Sequence, residues 1–129
     1  MHTQRHQLIK TLSNAIGKQI PVVENAAAIS LDGNEFFLEF PQQAPVYIIH
    51  QSICSINSLG VNHQQMETIL HLNSRLDILH CGWLGFHKSS NSLRYFATVP
   101  KALATAESLL DIMRALEPVK KRVLATLKL

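Results

Sequence analysis

The chain has 129 residues, of which 47% are hydrophobic and 16% are charged, and its formal net charge is +3. This length fits one domain, and the apolar fraction is typical of a globular protein and excludes a disordered one. The apolar runs fall far short of the about 20 residues that a membrane-spanning helix needs, and the N-terminus lacks the pattern of a signal peptide. We therefore predict a single domain over 1–129 with no membrane insertion.

The first half of the sequence predicts a helix followed by three strands. Leu8, Ile9, Leu12 and Ile16 recur at helical spacing and Gly17 follows, which predicts a helix over about 4–16. Residues 20–23 form a connector. Two short apolar stretches, 28–31 and 35–40, then flank Asp32-Gly33-Asn34, a typical hairpin turn. The β-branched run 46–56 predicts a third strand, which completes a meander.

The second half predicts a helix, a hairpin and a long helix. Asn62 and Gln65 indicate a capping box that opens the second helix, after the loop 57–60. Its apolar stripe includes Met66, Ile69, Leu70, Leu72, Leu76 and Leu79. Residues 81–86 and 93–99 predict paired strands, and Pro100 is expected in the first turn of an amphipathic helix. Pro118 is expected to break or kink this helix, and 118–129 can form a short basic helix.

The order α-β-β-β-α-β-β-α predicts an α+β fold with an antiparallel sheet flanked by helices. A sheet needs cover on both faces. We expect the helices to cover one face and to leave apolar side chains of the other face uncovered, namely Phe37, Tyr47, Ile49 and Tyr95. Exposed apolar patches of this kind mark interaction surfaces. Dimerisation and binding of an apolar segment are therefore expected.

The residues that could carry chemistry do not form a recognisable motif. His50 and Cys54 share a strand face, but the adjacent residues His80 and Cys81 would point to opposite faces, and no tight metal-binding pair occurs. The five glycines are scattered, so a phosphate-binding loop is not indicated. We predict no metal, no cofactor and no enzymatic activity, with Cys54 and Cys81 as free buried thiols. A Cys54–Cys81 disulfide is the less favoured alternative, and an enzyme of unassigned substrate stays open as a third class.

The charges separate along the chain. Residues 1–18 and 101–129 each carry a net charge of +3, whereas 19–100 carry −3. The basic end, including Lys120, Lys121 and Arg122, makes a nucleic-acid-associated module the alternative function. The bases are dispersed rather than gathered on one face, which favours a solvated helix surface and no nucleic-acid partner.

The pattern resembles the class I chaperones of type III secretion (the Tir chaperone or SycE-like family) over residues 4 to about 117. Three stretches carry the likeness: the first helix with its terminal Gly17, the Leu72-Asn73 pair in the second helix (Met66 to Leu76), and the strand Gly82-Trp83-Leu84-Gly85-Phe86 before the polar turn and Leu93-Arg94-Tyr95-Phe96. Gly82-Trp83-Leu84-Gly85 in particular is similar to the small chaperones of the gatekeeper (YopN-type) protein.

The resemblance implies a bacterial cytoplasmic dimer that holds the N-terminal region of a secreted effector or gatekeeper protein in extended form. It implies client-contact residues in the first helix and the sheet, namely Ile9, Leu12, Ile16, Phe37, Tyr47 and Ile49. It implies dimer-interface residues in the second helix and the fourth strand, namely Met66, Ile69, Leu70, Trp83 and Phe86. The identity of the client stays open, as does the choice between a homodimer and a heterodimer with a second small chaperone.

Two expectations follow from that assignment. The family is commonly acidic, whereas the pI of this chain is about 9.1, which suggests an acidic partner subunit or client. If Leu12 contacts the client, Leu12→Asp should abolish client binding and leave the dimer intact.

Overall fold

The computed structural model describes residues 2–59, 63–80 and 82–129. Three positions with predicted roles lie outside these residues: Gly60 in a loop, Asn62 as a helix cap, and Cys81 as a thiol or disulfide partner. The chain divides into two compact units. Unit 1 comprises Met1–Ile49 and Thr98–Arg114, and unit 2 comprises His50–Ala97 and Ala115–Leu129.

The structure contains helices α1 to α4 and strands β1 to β6. In chain order they are α1 (His2–Ile16), β1 (Val22–Val23), β2 (Ala26–Leu31), β3 (Asn34–Glu39), β4 (Val46–Ser55), α2 (His63–Leu72), α3 (Leu76–Leu79), β5 (Trp83–His87), β6 (Ser92–Pro100) and α4 (Ala106–Leu127). Short 3₁₀ turns cover Ile56–Ser58 and Lys101–Leu103.

The strands form one six-stranded sheet in the order β1-β2-β3-β4-β6-β5. Antiparallel pairing joins β1 to β2, β2 to β3 and β5 to β6. The α+β class is thus confirmed, and so are the predicted meander and hairpin. β1 was not predicted: Val22 and Val23, which the sequence suggested as part of a connector, pair with Ala27 and Ala26.

Unit 1 begins with α1, whose apolar residues lie on one side. Leu8 and Leu12 are buried, whereas Ile9 and Ile16 are half-buried. Gly17 has a φ of +72°, and its N–H donates to the Ser13 carbonyl at 2.9 Å. A left-handed residue that satisfies one of the last carbonyls is a common helix ending, so the predicted stop is confirmed.

The β2–β3 hairpin fixes the core face of unit 1. Asp32 and Gly33 have φ values of 52° and 81°, and two consecutive positive φ angles are what a type I′ turn requires. The register pairs Ile29 with Phe36 and Ala27 with Leu38. All four side chains are buried, which places the apolar alternation of both strands on one face of the sheet.

The predicted facing of β4 was wrong. Tyr47 and Ile49 are 4% and 2% exposed rather than uncovered, and in unit 2 Tyr95 is 3% exposed. The Tyr47 ring meets the Phe40 ring edge to face, with 5.1 Å between centroids. Since Phe40 continues the buried alternation of β3, Tyr47 lies on the core face. The side chains of the opposite β4 face, Val46 and Ile48, are half-buried.

In unit 2, the second helix is shorter than predicted. α2 ends at Leu72, and Leu76 and Leu79 belong to a separate short helix, α3. The Ser74 hydroxyl donates to the His71 carbonyl at 2.6 Å, a local hydrogen bond that competes with continued helix. The apolar stripe therefore spans two helices, and Leu76 is 73% exposed.

Gly82 lies directly before β5 at a point of close approach. A Cβ at this position would overlap the hydroxyl of Tyr95 and the carbonyl oxygen of Phe96. The Tyr95 hydroxyl donates to the Leu79 carbonyl, which also accepts from the Gly82 N–H at 3.0 Å. Glycine is needed here because another strand and a buried phenol occupy the space of a side chain.

α4 begins later and continues further than predicted. Pro100 ends β6, and the helix begins at Ala106 after a reciprocal cap: the Ser108 N–H donates to Thr105 Oγ1 at 3.0 Å, and the Thr105 N–H donates to Ser108 Oγ at 2.9 Å. Pro118 lies inside the helix and is exposed. An interior proline costs about 3 kcal/mol. Buried apolar residues continue past it and offset that cost, namely Val119, Val123 and Leu127.

Candidate protein-binding site

Unit 1 carries a groove with both apolar and basic lining beside strand β1, which is at one end of the strand order. Val22 and Val23 of this strand are 39% and 72% exposed. A groove of about 210 Å³ lies between the strand and α1, and we call it the α1–β1 groove; it is lined by Arg5, His6, Ile9 and Val22. An edge strand with exposed apolar side chains can pair with a further strand.

A second pocket of unit 1 has a volume of about 350 Å³ and shares Arg5 with the groove. We call it the cation pocket; its lining is Arg5, Asn25, Phe40, Pro41, Gln42, Gln43, Tyr47 and Lys101. The Arg5 guanidinium lies over the Phe40 ring at 4.8 Å from the centroid, and Lys101 Nζ lies over the Tyr47 ring at 5.7 Å. Both distances are within cation–π range.

Backbone and amide oxygens hold the two cations in place. Arg5 donates to the Glu24 carbonyl at 2.6 Å and to Asn25 Oδ1 at 3.0 Å. Lys101 Nζ donates to the Pro41 carbonyl at 2.9 Å, and the Lys101 N–H donates to the Pro45 carbonyl at 2.9 Å. Within the described residues, neither cation forms an ion pair with a carboxylate.

The residues proposed from the sequence as client contacts fall into two groups. Leu12, Tyr47 and Ile49 are core residues, 0%, 4% and 2% exposed, so direct contact of these side chains with a client does not fit their burial. Ile9 lines the α1–β1 groove, and Ile16 and Phe37 are half-buried.

Sequence reasoning missed most of this surface. Val22 and Val23 lie between Pro21 and Glu24, a pattern too short to indicate a strand. Arg5 and Lys101 are far apart in sequence, and no local pattern indicates that they share a pocket. The separated positive charge at the two chain ends was the only related signal.

The residues proposed for the dimer lie in unit 2. Met66 and Leu70, one turn apart on α2, are 41% and 71% exposed, whereas Ile69 is 4% exposed and belongs to the core. Trp83 and Phe86 of β5 are also exposed, at 40% and 46%. Being three positions apart, they point to opposite faces of the strand. We call the four exposed residues, Met66, Leu70, Trp83 and Phe86, the α2–β5 surface.

Asn73 connects the two elements of that surface. Its side-chain amide donates to the Leu84 carbonyl at 3.0 Å, and its Oδ1 accepts from the Leu84 N–H at 2.7 Å. β5 is at the other end of the strand order, and this clamp satisfies both backbone groups of Leu84. The β5 edge is therefore less open to strand addition at that point than the β1 edge.

Solved structures share this architecture over nearly the whole chain. A chain of the ExsC–ExsE complex aligns with a TM-score of 0.74 at 15% identity, over 98% of this chain and 93% of that one. A chain of the HopA1–SchA chaperone–effector complex aligns with a TM-score of 0.62 at 13% identity, over 98% and 94%. A chain of the complex between the Yersinia pestis type III secretion chaperone SycH and a stable fragment of YscM2 aligns with a TM-score of 0.64 at 12% identity, over 91% of this chain and 97% of that one.

The fold is that of a type III secretion chaperone. No family model and no curated protein matches the sequence. The likeness is therefore one of three-dimensional structure, and the predicted resemblance to the class I chaperones of type III secretion is confirmed at the level of fold.

Within this chaperone fold, unit 2 contains a buried polar cluster. His50 and Arg94 are 3% and 5% exposed, and Arg94 Nε donates to His50 Nδ1 at 2.7 Å. The His50 ring also stacks on Phe96, with 5.1 Å between centroids. Burial, followed by the nearby charges of Arg94 and His87, together lower the pKa of His50 to about 4. Because Nδ1 accepts a hydrogen bond, the neutral ring carries its proton on Nε2.

This buried imidazole predicts a pH dependence of stability. The folded-state pKa lies below the usual 6.5, so the unfolded chain binds more protons between about pH 6.5 and pH 4, and stability falls as the pH falls through that range. The expected loss attributable to His50 is about 3 kcal/mol at pH 4. Urea unfolding of the wild type and of His50→Gln at pH 7 and pH 4 measures it. Equal pH dependence in the two proteins would contradict the assignment.

The structure also tests whether polar side chains form a metal site or a reactive thiol. Among residues 2–59, 63–80 and 82–129, no three His, Cys, Asp or Glu side chains gather as a metal site would require. Cys54 is a free, half-buried thiol, and burial raises its pKa, with Lys120 acting weakly in the opposite direction. A thiol with a raised pKa is a poor nucleophile.

In the described parts of the chain, no helix is both long and apolar enough to cross a bilayer.

Proposed function

We propose that this protein is a type III secretion chaperone that binds the N-terminal region of a secreted effector or gatekeeper protein in extended form. The observation that carries the proposal is the fold: the chain aligns over 98% of its length with chains of two complexes, one of which is a chaperone–effector complex. The protein would act in the bacterial cytoplasm, would keep its client soluble, and would use no catalytic residue.

The α1–β1 groove is the proposed client site. An extended segment can pair its backbone with β1 and place apolar side chains against Ile9 and Val22. Val23, which is 72% exposed, would be covered by the same segment. Half-buried Ile16 and Phe37 are proposed as further contacts. Ordering an unfolded segment typically costs about 2–5 kcal/mol, which burial of apolar surface must exceed.

The α2–β5 surface is proposed to bind a second chaperone chain. Met66 and Leu70 form an exposed apolar ridge on one side of α2, and Trp83 and Phe86 add exposed apolar area on the two faces of β5. The second chain is either another copy or a second small chaperone. Buried Ile69 supports this ridge from within and does not contact the partner.

Loss of client binding in Ile9→Asp tests the proposed groove. The substitution removes an apolar contact from the groove, and a bound client would desolvate the new carboxylate, so we expect affinity to fall at least about tenfold. The measurement is calorimetric titration with the N-terminal regions of secreted proteins from the same bacterium.

Thr11→Asp is the matched control, because Thr11 is exposed on the same helix. It should bind as the wild type does. Failure of the wild type to bind any of these regions would overturn the proposed function, and equal affinity of Ile9→Asp and wild type would reject the groove as the site.

A further inference from the structure

We propose that the cation pocket binds a carboxylate side chain of the client, so that the client is an acidic segment and not merely an apolar one. This inference rests on the proposed function, since the occupant is taken to be the extended client. It adds the chemistry that selects the client: an Asp or Glu side chain placed beside the residues that fill the α1–β1 groove.

Two cationic side chains of the protein, Arg5 and Lys101, are already positioned in the cation pocket without a ligand. Arg5 and Lys101 are both half-buried, and each lies over an aromatic ring that is itself 4% exposed, Phe40 for Arg5 and Tyr47 for Lys101. Hydrogen bonds from both side chains to oxygens of neighbouring loops fix their positions. A ligand therefore meets oriented donors, and little side-chain entropy is lost on binding.

The charge of this pocket is not balanced from within. Among the described residues, those that line it include no acid. The oxygens that hold Arg5 and Lys101 are neutral carbonyl and amide groups, which leave the positive charge uncompensated. A guanidinium and an ammonium held by neutral oxygens suit a carboxylate, which accepts charge-assisted hydrogen bonds from both.

Position and overall charge favour a peptide as the occupant. Arg5 lines both the cation pocket and the α1–β1 groove, so a segment that lies in the groove passes directly beside the pocket. Gln42 and Gln43 at its rim are exposed and offer amides to a peptide backbone. The chain also carries a net charge of +3, which favours association with an acidic partner.

The test uses labelled, end-blocked peptides in which Leu alternates with Ser and one position is Glu or Gln, with that position scanned along the peptide. Fluorescence anisotropy measures their affinities. At the best position the wild type should bind the Glu peptide about tenfold more tightly than the Gln peptide, with a smaller ratio at high salt. In the double variant Arg5→Gln/Lys101→Met the ratio should fall to about one. The control Lys10→Met, on the same helix outside the pocket, should keep it.

The outcomes separate the two proposals. Equal binding of Glu and Gln peptides at every position overturns the acidic-client inference and leaves the proposed function standing. Absence of binding by all peptides overturns both. A single-stranded oligonucleotide that binds more tightly than the Glu peptide, and loses affinity in the double variant, would show that the pocket serves phosphates and would also overturn the inference.

Discussion

Replacing Leu12 with aspartate is expected to unfold the protein rather than to abolish client binding selectively. Leu12 is 0% exposed, in the core of unit 1. An unpaired carboxylate there loses its hydration and gains no partner, and the apolar packing is lost as well. We expect the free energy of unfolding to fall by at least about 4 kcal/mol, which urea unfolding followed by circular dichroism would measure.

Ile9→Asp is the matched comparison, because Ile9 is half-buried on the same helix and lines the groove. It should fold with a much smaller loss of stability. If Leu12→Asp unfolds at the same urea concentration as the wild type, the Leu12 side chain is not in the core. Leu12 would then again be a candidate for direct contact with the client.

The comparison of Leu12 with Ile9 shows which features of α1 the sequence alone can predict. The spacing of Leu8, Leu12 and Ile16 correctly indicates which side of the helix is apolar. It does not indicate what covers that side, because a core and a bound client both require the same residue types. The sequence could therefore suggest Leu12 as a client contact although its side chain is buried in the protomer.

The second large effect is expected at the α2–β5 surface. Leu70 is 71% exposed, so Leu70→Asp should leave the protomer folded. In the proposed dimer the new carboxylate would be desolvated against a second chain, and the dissociation constant should rise about a hundredfold. Size-exclusion chromatography with light scattering at micromolar concentration measures the change as a shift from dimer to monomer.

Leu103→Asp controls for the removal of an exposed leucine. Leu103 is 67% exposed but belongs to unit 1, outside the α2–β5 surface. It should dimerise as the wild type does. A dimer that tolerates Leu70→Asp and is lost in Leu103→Asp would place the interface elsewhere.

Local chemistry made much of the fold predictable. The Asp32-Gly33 turn, the stop at Gly17 and the two sets of paired strands depend on neighbouring residues, and each was confirmed. The errors occurred where distant packing overrides local preference. Pro118 should interrupt a helix, yet α4 continues because the residues beyond it bury apolar surface.

The candidate site was less predictable than the fold. The face on which Tyr47 lies depends on the register of β4, and one step of register exchanges the two faces. The cation pocket depends on the approach of α1 to the segment that holds Lys101. Contacts of that range leave no local periodicity in a single sequence.

The central claim is that apolar surface left exposed on the protomer is covered by other chains, and sedimentation equilibrium tests it most directly. At micromolar concentration, alone or with a second small chaperone, we expect a two-chain species instead of the 14.5 kDa protomer, and we expect it to take up an unfolded leucine-rich peptide. A folded monomer of 14.5 kDa under both conditions, with no bound peptide, would contradict the account.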